Sequence, residues 1–173
     1  MKKLYLLLTL LLFVSLSVMG QPLAGKKICI DPGHGGYDPA NDRFIPQTGF
    51  WESEGNWFKA LHLRPMLESL GAIVILTRHG NSDADDHSLS QRAAIANQNN
   101  VDVFHSIHSN GFQGTANYTL MLFRGYDNQP VFPEAKVLGG IMAEDIFHSH
   151  RTTARYNRGD WSFYPSWGTS GLG

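Results

Sequence analysis

The chain has 173 residues, a hydrophobic fraction of 42% and a formal net charge of -1. That is enough to enclose a globular core, and too near neutrality for a polyanion-binding surface. No lysine- or arginine-rich run occurs beyond Lys26 and Lys27, which argues against a nucleic-acid partner. The single cysteine, Cys29, excludes an internal disulfide and reads as a small packed hydrophobe inside a strand.

At the N-terminus Lys2 and Lys3 precede an apolar run over 4–18, and Gly20 supplies a small residue for cleavage. This is the pattern of a secretory signal peptide over 1–20. The run is short and interrupted by Thr9, Ser15 and Ser17, which favours cleavage over a transmembrane anchor. No cysteine closes it for lipid attachment. The expected location is periplasmic or secreted, with no stable membrane insertion after signal removal.

The stretch Ile28-Cys29-Ile30-Asp31-Pro32-Gly33-His34-Gly35-Gly36 is an apolar run that breaks into a glycine-rich turn. It predicts a strand over 27–30 that delivers His34 at its carboxyl end, where open α/β sheets place their chemistry. Asp31 is either a simple turn former or a group that orients a ligand histidine. A loop then runs to Phe50, and a helix is expected over 57–70. Glu52 and Glu54 precede it, where capping and the helix dipole account for either carboxylate alone. Pro65 predicts a kink or break near Arg64, and Gly71 a stop.

A strand follows over 72–77, then a polar loop over 78–87. Asp83, Asp85 and Asp86 lack the glycine and distal glutamate of a calcium loop and read as solvated. The next helix, over 90–99, has Ser88 as its cap and Leu89, Ala93, Ile95 and Ala96 as its apolar face.

Val101-Asp102-Val103-Phe104-His105-Ser106-Ile107-His108-Ser109-Asn110 is a second apolar strand ending in a histidine. Side chains two apart share a face, so Phe104, Ser106 and His108 oppose Val103, His105 and Ile107. His108 is the ligand candidate, and His105 a strand residue packed against a helix. Ser106 and Ser109 belong to no G-x-S-x-G elbow, which excludes a serine hydrolase of that type. A strand over 118–123 and a helix over 133–148 follow, with His148 and His150 near the helix end, where histidine complements the dipole. Trp161, Phe163, Tyr164 and Trp167 read as core packing, with a sugar-stacking rim as the alternative.

Strands alternating with helices imply an α/β fold, a single-domain twisted and largely parallel sheet with helices on both faces. Two strand-end histidines and one carboxylate form the set typical of a catalytic zinc site, which keeps a fourth position open. From the residues alone that carboxylate is Glu52 or Glu54.

Several motifs together resemble the zinc-dependent N-acetylmuramoyl-L-alanine amidases of the Amidase_3 type. They are Ile30-Asp31-Pro32-Gly33-His34-Gly35-Gly36, Glu52 with Asn56, Leu76-Thr77-Arg78, Leu89-Ser90-Gln91-Arg92, Ile95-Ala96-Asn97, Phe104 and Ser106-Ile107-His108-Ser109-Asn110. The match weakly resumes at Arg158-Gly159. The resemblance implies zinc held by His34, Glu52 and His108. Glu52 is preferred to Glu54 because the family ligand stands four residues before the asparagine. It implies peptidoglycan as substrate and cleavage between N-acetylmuramic acid and L-alanine of the stem peptide. The family's general-base glutamate comes from a segment resembling Val-Glu followed by Phe and Ser-Asn, which has no counterpart up to Gly173. No catalytic residue beyond the ligands is therefore assigned, and 27–173 reads as a catalytic domain lacking its C-terminal part. The rival readings are a non-catalytic zinc- or peptidoglycan-binding module and a zinc peptidase acting on peptide bonds.

Overall fold

The computed structural model describes residues 21–40, 42, 44–46, 48–109 and 117–166. The expected signal segment 1–20, Asn110, Trp167 and residues 170–173 lie outside the described residues. The chain divides into two compact units, one ending at Ser109 and one following it.

The first unit is built on a parallel sheet in the order β4-β1-β5, with β1 (Lys27–Pro32) between β4 (Ile73–Leu76) and β5 (Val103–Ile107). A central parallel strand is covered on both faces and so must be apolar on both. Cys29 and Ile30 accordingly have no exposed surface. Period two then sorts the faces. Ile28 and Ile30, with Val74, Leu76 and Ile107, pack on Trp57, Ala60, Leu63 and Leu67 of α1 (Glu52–Ser69). Asp31 points the other way and meets Arg92 of α2 (Leu89–Asn99). Helices cover both faces of this sheet, as the alternating pattern predicts.

Helix α1 starts at Glu52 rather than 57, so both acidic residues lie in its first turn. Carboxylates there complement the helix dipole. The missing side chain of Gly55 admits the Phe50 ring, which would stand 2.7 Å from a Cβ at that position. Pro65 does not break the helix. It is exposed, so the carbonyl one turn back can turn to water for the bond it loses. The segment expected as plain loop holds a hairpin of β2 (Phe44–Ile45) and β3 (Phe50–Trp51). Ser88 caps α2 as expected, in a reciprocal box with Gln91.

The loop aspartates are engaged rather than simply solvated. Asp83 accepts from the Tyr37 amide, Asp85 caps Ser82 around a single 3-10 turn, and Asp86 faces Arg92.

In the second unit β6 (Tyr118–Phe123) runs parallel to β9 (Ala154–Gly159), with Tyr118 opposite Ala154 and Phe123 opposite Gly159. Helix α3 (Pro133–Ser149) packs on both strands. A short hairpin, β7 (Gly125–Tyr126) with β8 (Gln129–Pro130), and α4 (Asp160–Phe163) complete it. Trp161 packs edge-on to the exposed Tyr126 and Phe163 to Tyr164, and Trp161, Phe163 and Tyr164 are half-buried. His148 pairs with Glu144 one turn back and His150 meets the Ile146 carbonyl. Among the described residues no helix is long and apolar enough to cross a membrane.

Candidate metal centre

Neighbouring parallel strands end side by side, and here Pro32 of β1 stands opposite Ile107 of β5. Each strand leads into a segment that carries a histidine, and the Gly33 amide joins the two by donating to the Ile107 carbonyl at 2.9 Å. Gly33 is required by close approach: a Cβ there would lie 2.2–2.7 Å from three atoms of the His108 ring. The imidazole rests against bare backbone.

His34 adopts a left-handed conformation, φ 61°, which a histidine enters only at some cost in free energy. Arg92 pins it there. The buried guanidinium donates to the carbonyls of His34 at 2.9 Å, Pro32 at 3.1 Å and His87 at 2.7 Å, and to the Asp31 carboxylate at 2.7 Å.

Glu52 reaches in from the first turn of α1 and is only 2% exposed. Its Oε1 lies 3.2 Å from His108 Nδ1 and 3.6 Å from His34 Nε2, and accepts the Ser109 amide at 2.7 Å. Burial works to raise the pKa of this carboxyl. Hydrogen bonds from His108, His34 and the Ser109 amide outweigh it and hold the group well below the usual carboxylate range. Asn56, one turn along, donates to the Gly33 carbonyl at 3.3 Å.

The ligating atoms of His34, Glu52 and His108 all lie within 4.8 Å of one another. Two imidazoles and an ionised carboxylate at that spacing fit a tetrahedral zinc ion, whose donors stand about 3.4 Å apart at bond lengths of about 2.0–2.1 Å. The glutamate is enclosed, whereas the His108 side chain is 44% exposed. Both histidines, with His87, Gln91 and Arg92, line a cleft of about 400 Å³. A substrate has access from that side.

Residues 28–162 match the pattern of the Amidase_3 family, described as N-acetylmuramoyl-L-alanine amidase. The chain belongs to the Amidase_3 family. Within it, the Bacillus licheniformis N-acetylmuramoyl-L-alanine amidase CwlM is 40% identical over 122 residues, covering 69% of this chain and 43% of its own. Cwp6 from Clostridium difficile superposes with a TM-score of 0.63 at 30% identity, over 79% of this chain and 20% of that one. The N-acetylmuramoyl-L-alanine amidase structure from Clostridium difficile 630 also gives 0.63, at 26% identity, covering 78% and 71%. The chain spans less than half the length of the curated relatives it matches.

Against this Amidase_3 scaffold, the residues singled out in the sequence separate clearly. His34, Glu52 and His108 come together, and Glu54 is not in the cluster. His105 is in register with Ile30 on the face covered by α1, where burial pushes its imidazole pKa down. Asp31 does not orient an imidazole directly. Its carboxylate is taken by Thr77 at 2.5 Å, Arg92 at 2.7 Å and Ser106 at 2.7 Å, so it acts on the turn through Arg92. Sequence reasoning quoted Arg78 and Arg92 as motif positions without giving them work. Arg78, wholly buried, donates to the carbonyls of Pro32 at 2.8 Å and Ser53 at 2.7 Å and so locks the end of β1 to the start of α1. The available signal was an arginine next to an apolar strand and another inside an amphipathic helix, where a buried carboxylate or carbonyl partner is needed.

Proposed function

We propose that this chain belongs to a zinc-dependent peptidoglycan hydrolase that cuts the amide between N-acetylmuramic acid and L-alanine of the stem peptide, with 27–173 as part of the catalytic domain and 1–20 directing export to the periplasm or the medium. The observation that carries this reading is the convergence of His34, Glu52 and His108 within 4.8 Å on a chain of the Amidase_3 family. His34, Glu52 and His108 would hold the ion, which when bound supplies Lewis-acid polarisation of the scissile carbonyl and lowers the pKa of water toward about 7.

The protein's own part is positioning. Glu52 stays ionised because the Ser109 amide and the two imidazoles face it. Arg92 and Gly33 fix the two histidine-bearing segments, so the ligand set is organised before substrate arrives. The cleft of about 400 Å³ beside the histidines is where the substrate amide would lie.

The test is release of soluble peptide from purified peptidoglycan, with and without chelator, and mass analysis of the product. Chelator-sensitive release of stem peptides with a free L-alanine amine is expected. Cleavage inside the stem instead identifies a peptidase. No release by protein that retains zinc, and none by a form carrying a glutamate-bearing segment after Gly173, identifies a binding module.

A further inference from the structure

Beside the metal centre stands a group of aromatic rings that the proposed chemistry does not use. Tyr37 meets Trp51 edge-on at 5.5 Å and 83°, and Phe44 lies over Trp51 at 4.6 Å and 30°. Rings of this kind normally enter a core, yet Tyr37 is 47% and Phe44 42% exposed. A contiguous patch of exposed aromatic rings marks a binding surface.

The ledge is built into the site rather than hung on a loose loop. Tyr37 follows His34 by three residues and Trp51 directly precedes Glu52. The Ser53 hydroxyl donates to the Gly36 carbonyl at 2.6 Å, the Ser53 amide to the Asp42 carboxylate at 3.1 Å, and the Tyr37 amide to Asp83 at 3.0 Å. The two Ser53 bonds tie the ledge to the first turn of α1, which also carries Glu52, and the Tyr37 bond ties it to the 3-10 turn at Asp83–Asp85.

We infer that the Tyr37, Phe44 and Trp51 ledge is a saccharide subsite that stacks a pyranose ring of the glycan strand while the amide beside it lies at the metal centre. The inference rests on the amidase reading, because only then is the cut bond attached to a sugar that must lie next to it. The chemistry agrees. The apolar C–H face of a pyranose covers an aromatic ring, and the tyrosine hydroxyl leaves a polar group at the edge for hydroxyl or acetamido partners. Exposed aromatic rings suit a sugar better than they suit a helix, which an aliphatic groove seats.

The experiment titrates the metal-loaded protein with the tetramer of N-acetylglucosamine. Tyr37→Ala/Phe44→Ala, which leaves Trp51 next to Glu52 in place, is expected to raise Kd about five- to tenfold, with zinc content and circular dichroism unchanged. Phe44→Leu keeps the apolar bulk without the ring and is expected to weaken binding in the same direction if the double variant does not fold. Equal affinity in a folded variant, or no saturable binding by the wild type, overturns the subsite. So does loss of a concentration-dependent dimer on substitution without any sugar binding, which makes the ledge a contact between copies. Failure of the amidase reading is seen separately, as absence of peptide release from peptidoglycan both by the wild type and by a form carrying a glutamate-bearing segment after Gly173.

Discussion

A carboxylate taken out of water ordinarily gains a proton, and Glu52 resists this because two imidazoles and one amide face a single oxygen. His34→Ala, Glu52→Ala and His108→Ala are each expected to lose zinc on dialysis, whereas Glu54→Ala retains one ion per chain. Metal content by mass spectrometry decides, and the reverse order for the two glutamates moves the ligand to Glu54. Gly33→Ala tests close approach without substituting a ligand. The added methyl must displace the His108 ring, and zinc affinity should fall about 10–100-fold, the scale of losing a supporting contact. Asp31 carries a pH dependence. Burial favours its neutral form, but bonds from Thr77, Ser106 and Arg92 prevail and lower its pKa. Because the folded value is depressed, the stability it contributes is present above the unfolded value of about 3.9 and lost as pH falls through the folded one. Denaturant midpoints for wild type and Asp31→Asn should therefore differ widely at pH 7, begin to approach each other as pH falls below about 3.9, and converge only below the lower folded value. Removing the other partner, as in Arg92→Met, leaves a buried charge unpaired and should cost about 3–5 kcal/mol at neutral pH.

At the scale of elements, what could be read in advance was what local chemistry determines. The strand carrying Ile28 and Ile30, the helix capped by Ser88 and the strand-end histidines all follow from periodicity and turn residues. Ser88→Ala should accordingly cost about 1 kcal/mol, measured by thermal or chemical unfolding. The start of α1 was hidden because Ser53 and Gly55 are poor signals for a helix interior, and tertiary contacts at Gly33, Gly36 and Asp42 decide it. Strand β9 was missed because Arg155, Asn157 and Arg158 read as surface, although Asp127 takes the Arg158 guanidinium at 2.8 Å and the Gly159 amide at 2.7 Å. The candidate ligands were visible in sequence because metal chemistry restricts residue type. The work of Arg78 and Arg92 was not, since a buried arginine is defined by partners far away in the chain.

For the molecule as a whole, Cys29 is a reporter. It is fully enclosed in the central strand of the first unit, and burial raises its thiol pKa to about 11. Alkylation at pH 8 should be negligible in the native protein and rapid in urea, so its rate measures how often that unit opens. His34 and His108 leave neighbouring strands of the sheet but are distant in sequence, and Glu52 belongs to the helix laid across them. An ion shared by these three acts as a removable cross-link that favours the folded chain over the unfolded one by mass action. The melting temperature should rise with free zinc and fall on chelation, and a chelator would loosen the fold as well as stop the chemistry.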